Sequence, residues 1–287
     1  PGEVGPLGGE CCGRVVAVGP GVEAPAIGER VMALAPASFA DVAITDARMA
    51  VPVPAGLTSE EAATVPIAFA TAWYALHELG RVRAGERVLI HAAAGGVGMA
   101  AVQIAQAIGA EVFATASPGK WATVEAMGVR GPLSSRDTSF AAAIRARTGE
   151  EGVDVVLNSL TGAILEESVR LLRSGGRFLE MGKAEIWEPA RVAAVNPRAS
   201  YVAFDLAVQD PATLGGILRR VAEGLAAGVL RPLPFRVFPL GRAPAAFREM
   251  AAARHVGKVL LFDDTELPEI YALSHLVALP ILRSGGH

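Results

Sequence analysis

An α/β fold is predicted, in which a doubly wound parallel sheet is joined to a second, β-rich domain, and three observations predict it. Strand-like and helix-like segments alternate through the middle of the chain. A glycine turn joins one such strand to one such helix, and short β-type runs broken by Gly and Pro occupy both flanks. The 287 residues are enough for two domains with sizeable cores.

The elements follow in order. Up to about residue 72, Arg14–Val18 and Arg30–Leu34 are β-type runs separated by turn clusters such as Gly19-Pro20-Gly21. From Ala84 the rhythm becomes strand, turn, helix. Arg87–His91 is a strand, Met99–Ile108 a helix and Val112–Thr115 a strand, and further strands are expected at Val153–Leu157, Gly176–Glu180 and Ser200–Phe204. Helical patterns at 137–147 and 162–173 lie between them. After Pro211 an amphipathic helix runs to about Ala227, followed by Pro-interrupted strands and a last run, Gly257–Phe262. That return to β-type sequence predicts that the C-terminal part rejoins the first domain. The expected domains are therefore 1–72 with 208–262, and 73–207, with 263–287 an unassigned tail of weak helical pattern.

Composition removes several function classes. The 26 basic and 29 acidic residues leave a net charge of -3, which gives no global field for nucleic acid or an anionic membrane surface. The apolar stretch Val88–Ala116 contains Gln103, Gln106 and Glu111, which a lipid span would rarely carry. Adjacent Cys11 and Cys12 are poorly placed to staple a fold, so a reducing cytoplasmic setting is expected. The chain opens on Pro1 in mid-pattern and is expected to be a piece of a longer polypeptide.

The strongest constellation is the strand Val88–His91 feeding Ala92-Ala-Ala-Gly-Gly-Val-Gly98, which opens a helix. Small residues let the backbone approach a pyrophosphate, and the free amides and partial positive charge of the helix N-terminus stabilise it. Ala93, Gly95 and Gly98 hold the three small-residue positions, with Gly96 and Val97 between them. At the end of the next strand, where a carboxylate would bond a ribose 2'-hydroxyl, stands Ala116. Ser117 and Lys120 follow, a hydroxyl and a cation that favour a 2'-phosphate, and Arg136 is a second candidate cation.

The runs His91–Gln103, Ala114–Trp121, Asp154–Leu160, Gly176–Lys183 and Ala253–Lys258 resemble, in order, the enoyl reductase domains of modular polyketide synthases, and animal fatty-acid synthase is similar. The resemblance extends from Pro1 to about Phe262. It implies a Rossmann domain beside a GroES-like substrate domain, with NADPH as cofactor and an enoyl thioester on an acyl carrier protein as substrate. Ketoreductase and dehydratase domains are implied as neighbours. Family members begin roughly forty residues earlier, so the substrate domain is expected to be N-terminally truncated, and the position tied to methyl-branch stereochemistry would lie just before Pro1. By resemblance, Thr71 and Asn158 border the nicotinamide, and Gly182 belongs to the same site.

Zinc-dependent relatives carry Gly-His-Glu, whereas this chain reads Gly8-Gly9-Glu10, and its five histidines lack ligand spacing. No metal is expected. Conjugate reduction needs a hydride at the β-carbon, a donor near the thioester oxygen and a proton for the α-carbon. Only three of the 26 basic residues are lysines, and lysine, unlike arginine, can give up its proton when desolvated. Lys183 follows Glu180-Met-Gly182 at the C-terminal end of a predicted strand, the edge where doubly wound sheets hold ligands. In the family this lysine is a candidate proton donor, and Asp205, at the end of the next strand, is placed to orient it or share its role. Lys258 is expected to be structural. Two alternatives remain open: a free-standing NADPH quinone or enone reductase, and a non-catalytic reductase-like module of a synthase.

Overall fold

The computed structural model describes residues 7–40 and 42–262, together with the backbone of Ile270–Leu273. Two compact units emerge, one drawing on the chain up to Ala70 and from Gln209 onward, the other running Thr71–Val208.

The first unit opens with strands β1 (Glu10–Arg14), β2 (Arg30–Leu34) and β3 (Ala50–Pro52), joined as antiparallel neighbours. Helix α1 (Ser59–Ala63) starts at a capping box, in which the Thr58 hydroxyl accepts the Glu61 N–H and the Glu61 carboxylate accepts the Thr58 N–H. Helix α2 (Pro66–Trp73) follows and carries the chain into the second unit.

There, six strands alternate with helices. They are β4 (Arg87–Ile90), α3 (Gly96–Ile108), β5 (Glu111–Ala116), α4 (Trp121–Ala126), β6 (Leu133–Ser134), α5 (Ser139–Thr148), β7 (Val153–Asn158), α6 (Ala163–Leu171), β8 (Leu172–Glu180), α7 (Pro189–Val195) and β9 (Ser200–Ala203). All pairings are parallel, in the order β6-β5-β4-β7-β8-β9. The order reverses between β4 and β7, the topological switch point at which such sheets bind ligands outside their carboxyl ends. Every residue of β7 is buried, as a central strand covered on both faces requires. Phe113, Phe140, Ile144, Val156, Leu165, Val169 and Phe178 form one continuous core between sheet and helices.

The chain then returns to the first unit with α8 (Pro211–Ala226), capped by the Asp210 carboxylate accepting the Ala212 and Thr213 N–H groups at 3.0 Å. Strand β10 (Phe235–Pro239), helix α9 (Ala243–Ala251), β11 (Lys258–Phe262) and β12 (Ile270–Leu273) complete a sheet of order β10-β11-β12-β1-β2-β3. A buried Glu10–Lys258 ion pair links β1 to β11, and Glu10 also accepts the Ile67 N–H at 2.8 Å, satisfying an orphan donor at the start of α2. Lys258 is thereby a structural residue. No helix among the described residues is long and apolar enough to cross a membrane.

Three sequence expectations need correction. The strand expected at Arg14–Val18 lies at Glu10–Arg14, because the ladder with β2 ends at the Arg14–Arg30 pair; beyond it Val16 and Val18 are 60% and 40% exposed. β-propensity without a pairing partner does not make a strand. The Pro-interrupted segment after Ala227 contains helix α9, with Pro244 in the first turn, where a missing N–H costs nothing. The weak helical pattern of the tail is contradicted at Ile270–Leu273, which is β12, antiparallel to both β1 and β11; the rest of 263–287 lies outside the described residues.

Candidate active site

Strand β4 ends in a turn built for close approach. Ala92 adopts a left-handed conformation (φ 51°), which costs a non-glycine residue on the order of 1 kcal/mol or more. Its carbonyl accepts the Gly95 N–H at 2.9 Å, and the Ala93 N–H is held by the Thr115 carbonyl of β5 at 2.9 Å. A Cβ at Gly98 would lie 2.4 Å from the Ala92 oxygen and 2.7 Å from the Ala93 Cα, so the first turn of α3 meets backbone that only glycine admits. No side chain caps α3 at Gly95, leaving the Gly96 and Val97 end of the helix to an outside acceptor. This cradle fits a dinucleotide pyrophosphate.

The adjoining strand ends bring Ala116, Ser117, Lys120 and the Arg136 segment to one edge. β5 closes at Ala116, with Ser117 next and Lys120 half-buried, its pKa lowered by burial. The Trp121 indole donates to the Ala116 carbonyl at 3.1 Å and fixes this corner. In the parallel register Ala116 pairs with Ser134, and the Ser135 N–H reaches the Ala116 carbonyl at 3.1 Å, which carries the Arg136 segment beside Ser117. Arg136 itself is exposed.

At the ends of β7, β8 and β9 stand Asn158, Gly182 with Lys183, and Asp205. Lys183 Nζ donates to Asp205 Oδ2 at 2.6 Å, the two side chains being 51% and 36% exposed. Burial pushes the Asp205 carboxyl up, but the Lys183 ammonium and the Ala207 N–H outweigh it and hold the pKa below the usual range. Thr71 is buried on α2. The helix continues beyond α2 as a π-helical turn, Tyr74–Leu79, a form concentrated at functional sites, and its Tyr74 ring packs against Phe204, 5.9 Å between centroids and next to Asp205.

Two buried titratable groups escaped the sequence reading as site components. Glu180 is 1% exposed; its oxygens accept Asn158 Nδ2 and the Gly182 N–H, both at 2.6 Å, and burial pushes its pKa up to about 7 against those two bonds. The only sequence signal was an acid inside a buried strand pattern. His91, fully buried after β4, bonds Thr115 Oγ1 and Ser168 Oγ at 2.8 Å each. Because the Ser168 hydroxyl spends its one proton on the Ile164 carbonyl at 2.6 Å, Nε2 is the imidazole donor and Nδ1 accepts from Thr115.

Burial lowers the His91 pKa from 6.5 to about 3. Between those values the unfolded chain binds a proton that the folded chain refuses, so this stabilisation is present above about pH 6.5 and lost as pH falls towards 3. The thermal midpoint of His91→Gln should accordingly fall less than the parent's between pH 7 and pH 5, as read by circular dichroism melts. Equal slopes would show that His91 is not the group responsible.

The donor set does not fit zinc. Glu10 is engaged by Lys258 and the Ile67 amide, burial pushes the Cys12 thiol up to about 11, and among the described residues no group of three or more His, Cys, Asp or Glu could hold a metal ion.

A parallel sheet reversing at β4 and β7, a glycine cradle at that point and a lysine–carboxylate pair on the same edge define a dinucleotide-dependent oxidoreductase. The comparisons refine the class. A family model described as zinc-binding dehydrogenase matches residues 127–261. The polyketide synthase GfsB of Streptomyces halstedii is 51% identical over 257 residues, 89% of this chain, but the chain spans only 4% of that protein's length. CurK enoyl reductase is 44% identical with a TM-score of 0.83, covering 89% of this chain and 78% of that one. The CurF ER cyclopropanase from the curacin A biosynthetic pathway is 39% identical at TM-score 0.84, with the same coverages. Mycobacterial Rv1454c, solved in complex with NADPH, is 28% identical at TM-score 0.83, covering 91% of this chain and 84% of its own. The chain belongs to the enoyl reductase family of polyketide synthases, within the medium-chain dehydrogenase/reductase superfamily, whose Rossmann and GroES-like architecture it has.

Proposed function

We propose that this chain reduces the α,β-double bond of an acyl thioester carried on an acyl carrier protein, with NADPH as reductant, inside a cytoplasmic multienzyme that also holds ketoreductase and dehydratase domains. The observation that carries the proposal is the Lys183–Asp205 pair, 2.6 Å apart on the sheet edge that also bears the glycine cradle. The β-rich domain, 1–72 with 208–262, is assigned to the acyl substrate, and 73–207 to the dinucleotide.

The cradle of Ala93, Gly95, Gly96, Val97 and Gly98 would hold the pyrophosphate, with Thr71, Asn158 and Gly182 at the nicotinamide end. A bound NADPH supplies a hydride to the β-carbon. Lys183 keeps a proton at Nζ and gives it to the α-carbon as negative charge builds on the thioester; Asp205 orients the ammonium. Supporting the choice of NADPH are the Rv1454c complex and the hydroxyl and cations of Ser117, Lys120 and Arg136 around Ala116. Lys120→Ala should raise the NADPH dissociation constant about tenfold or more, since a charge-assisted bond is worth about 1.5–3 kcal/mol, and leave NADH binding almost unchanged. Fluorescence titration with both cofactors checks this; equal weakening of the two would remove Lys120 from the 2'-phosphate site.

The function itself is tested by incubating the protein with NADPH and an enoyl thioester on a carrier protein. Cofactor oxidation should depend on the thioester, and mass spectrometry should find the acyl chain heavier by two hydrogens. Turnover of a quinone with none of the thioester would instead identify a free-standing quinone reductase, and cofactor binding without turnover of either would identify a non-catalytic module.

A further inference from the structure

Lys183 leaves the sheet on a short segment tied down on both sides. Upstream, the Glu180 carboxylate takes the Gly182 N–H on Oε1 and Asn158 Nδ2 on Oε2. Downstream, the Glu185 carboxylate accepts the Gly162 N–H at 2.7 Å and the Trp187 indole at 2.8 Å. Both ties run between the loops that follow β8 and β7. Asn158 is itself fixed, since Nδ2 also donates to the Leu160 carbonyl at 2.7 Å and Oδ1 accepts the Leu160 N–H at 3.1 Å.

The inner tie has a chemical peculiarity. Asn158 and Gly182 both present donors, so the group between them must accept at both ends. An amide of the same size would set its own NH2 against one of them. Gly182 is held so close that a Cβ there would lie 2.7 Å from Glu180 Oε1. A buried carboxylate is costly without a cation, and among the described residues no ion pair neutralises Glu180. Neutral packing would hold two loops together at less cost, so the acid needs another reason.

We propose that Glu180 is a positioning residue of the reductase site: its carboxylate, bonded to the Gly182 N–H and the Asn158 amide, sets the angle at which Lys183 leaves β8 and holds Asn158 in register with it. This rests on the functions proposed above for Lys183 and Asn158, and Glu180 need touch neither substrate nor cofactor. The titratable groups facing it are Glu185 from its own loop and Tyr201 from β9, while β7 presents the neutral Asn158. Burial, reinforced by the Glu185 charge, carries Glu180 up to about 7, so the tie takes its ionised form near neutral pH.

The Gly182 amide reports the tie directly. In cofactor-free protein labelled with 15N-glycine, its proton resonance should titrate with a midpoint near pH 7, and this step should vanish in Glu180→Gln. In turnover, Glu180→Gln should lower kcat about 10–100-fold, the scale of a misplaced catalytic group, with little change in the KM for NADPH and with loss of the corresponding limb of the pH profile. Gly182→Ala, which displaces the same carboxylate from the other side, should repeat the loss of kcat and serves if Glu180→Gln does not fold. Parent-like kcat and pH profile in the folded variants would overturn the proposal, as would a Gly182 resonance that titrates without Glu180. Lys183→Met separates the two assignments. A slow Lys183→Met beside a parent-like Glu180→Gln overturns the positioning role alone, whereas parent-like rates in both remove Lys183 from the chemistry and the role of Glu180 with it.

Discussion

Lys183→Met is expected to lower the turnover number for enoyl thioester reduction about 10²–10⁴-fold, the span of general acid catalysis, while NADPH affinity barely changes. Methionine keeps most of the apolar stem and removes the proton and the charge. Lys183 is half-exposed and its charge is already engaged by Asp205, so the loss should fall on the chemical step rather than on folding. Asp205→Asn should cost less, because the amide oxygen can still accept from the ammonium, even though its NH2 then replaces the oxygen that accepts the Ala207 N–H. If the acid only orients the lysine, the double variant should be no slower than Lys183→Met, since groups acting as one unit are non-additive. Modest losses in each single variant with collapse only in the double would make the two interchangeable donors. Stopped-flow single-turnover rates, with deuterium incorporation at the α-carbon, distinguish these outcomes.

Much of the dinucleotide unit was legible in the sequence because its signals are local. β4, the glycine turn and α3 are contiguous, and a buried parallel strand such as β7 reads as a β-branched, largely apolar run despite Asp154 and the closing Asn158. The elements that were misread depend on distant partners. β1 is a strand because β2 lies beside it, and its residues Glu10–Arg14 include an acid and a glycine that local propensity would reject. The two-residue β6 is too short to carry any periodicity, yet its register with Ala116 is what carries Arg136 beside Ser117. Candidate residues were found where a strand end coincided with an unusual residue choice, as with Lys183. Glu180 was not, because an acid within Gly176–Glu180 reads as the end of a strand, and only the folded chain reveals that it is buried with donors at both oxygens.

Gly98→Ala is expected to be among the most damaging single substitutions outside the chemical groups. An added methyl would meet the Ala92 carbonyl oxygen at 2.4 Å and the Ala93 Cα at 2.7 Å, both backbone atoms that cannot rotate away. That turn is held from outside by the Thr115 carbonyl and the buried His91 bonds, so helix α3 must shift instead. Overpacking of this kind costs about 1–3 kcal/mol of stability. The same displacement would move the Gly96 and Val97 amides from the place proposed for the pyrophosphate, and an equal loss in binding would be about 5–150-fold in the NADPH dissociation constant. Gly95→Ala supplies the internal comparison, because its methyl would stand 3.3 Å from the same oxygen, a contact that a few tenths of an ångström relieve. The pair isolates steric closeness from the general effect of replacing glycine, since Gly95 has an ordinary extended φ of -85° and Gly98 lies within the helix. Calorimetric melts and cofactor titrations should rank parent, Gly95→Ala and Gly98→Ala in descending order. A Gly98→Ala protein that melts and binds NADPH like the parent would mean that the turn yields to α3, and that its closeness is not what seats the pyrophosphate.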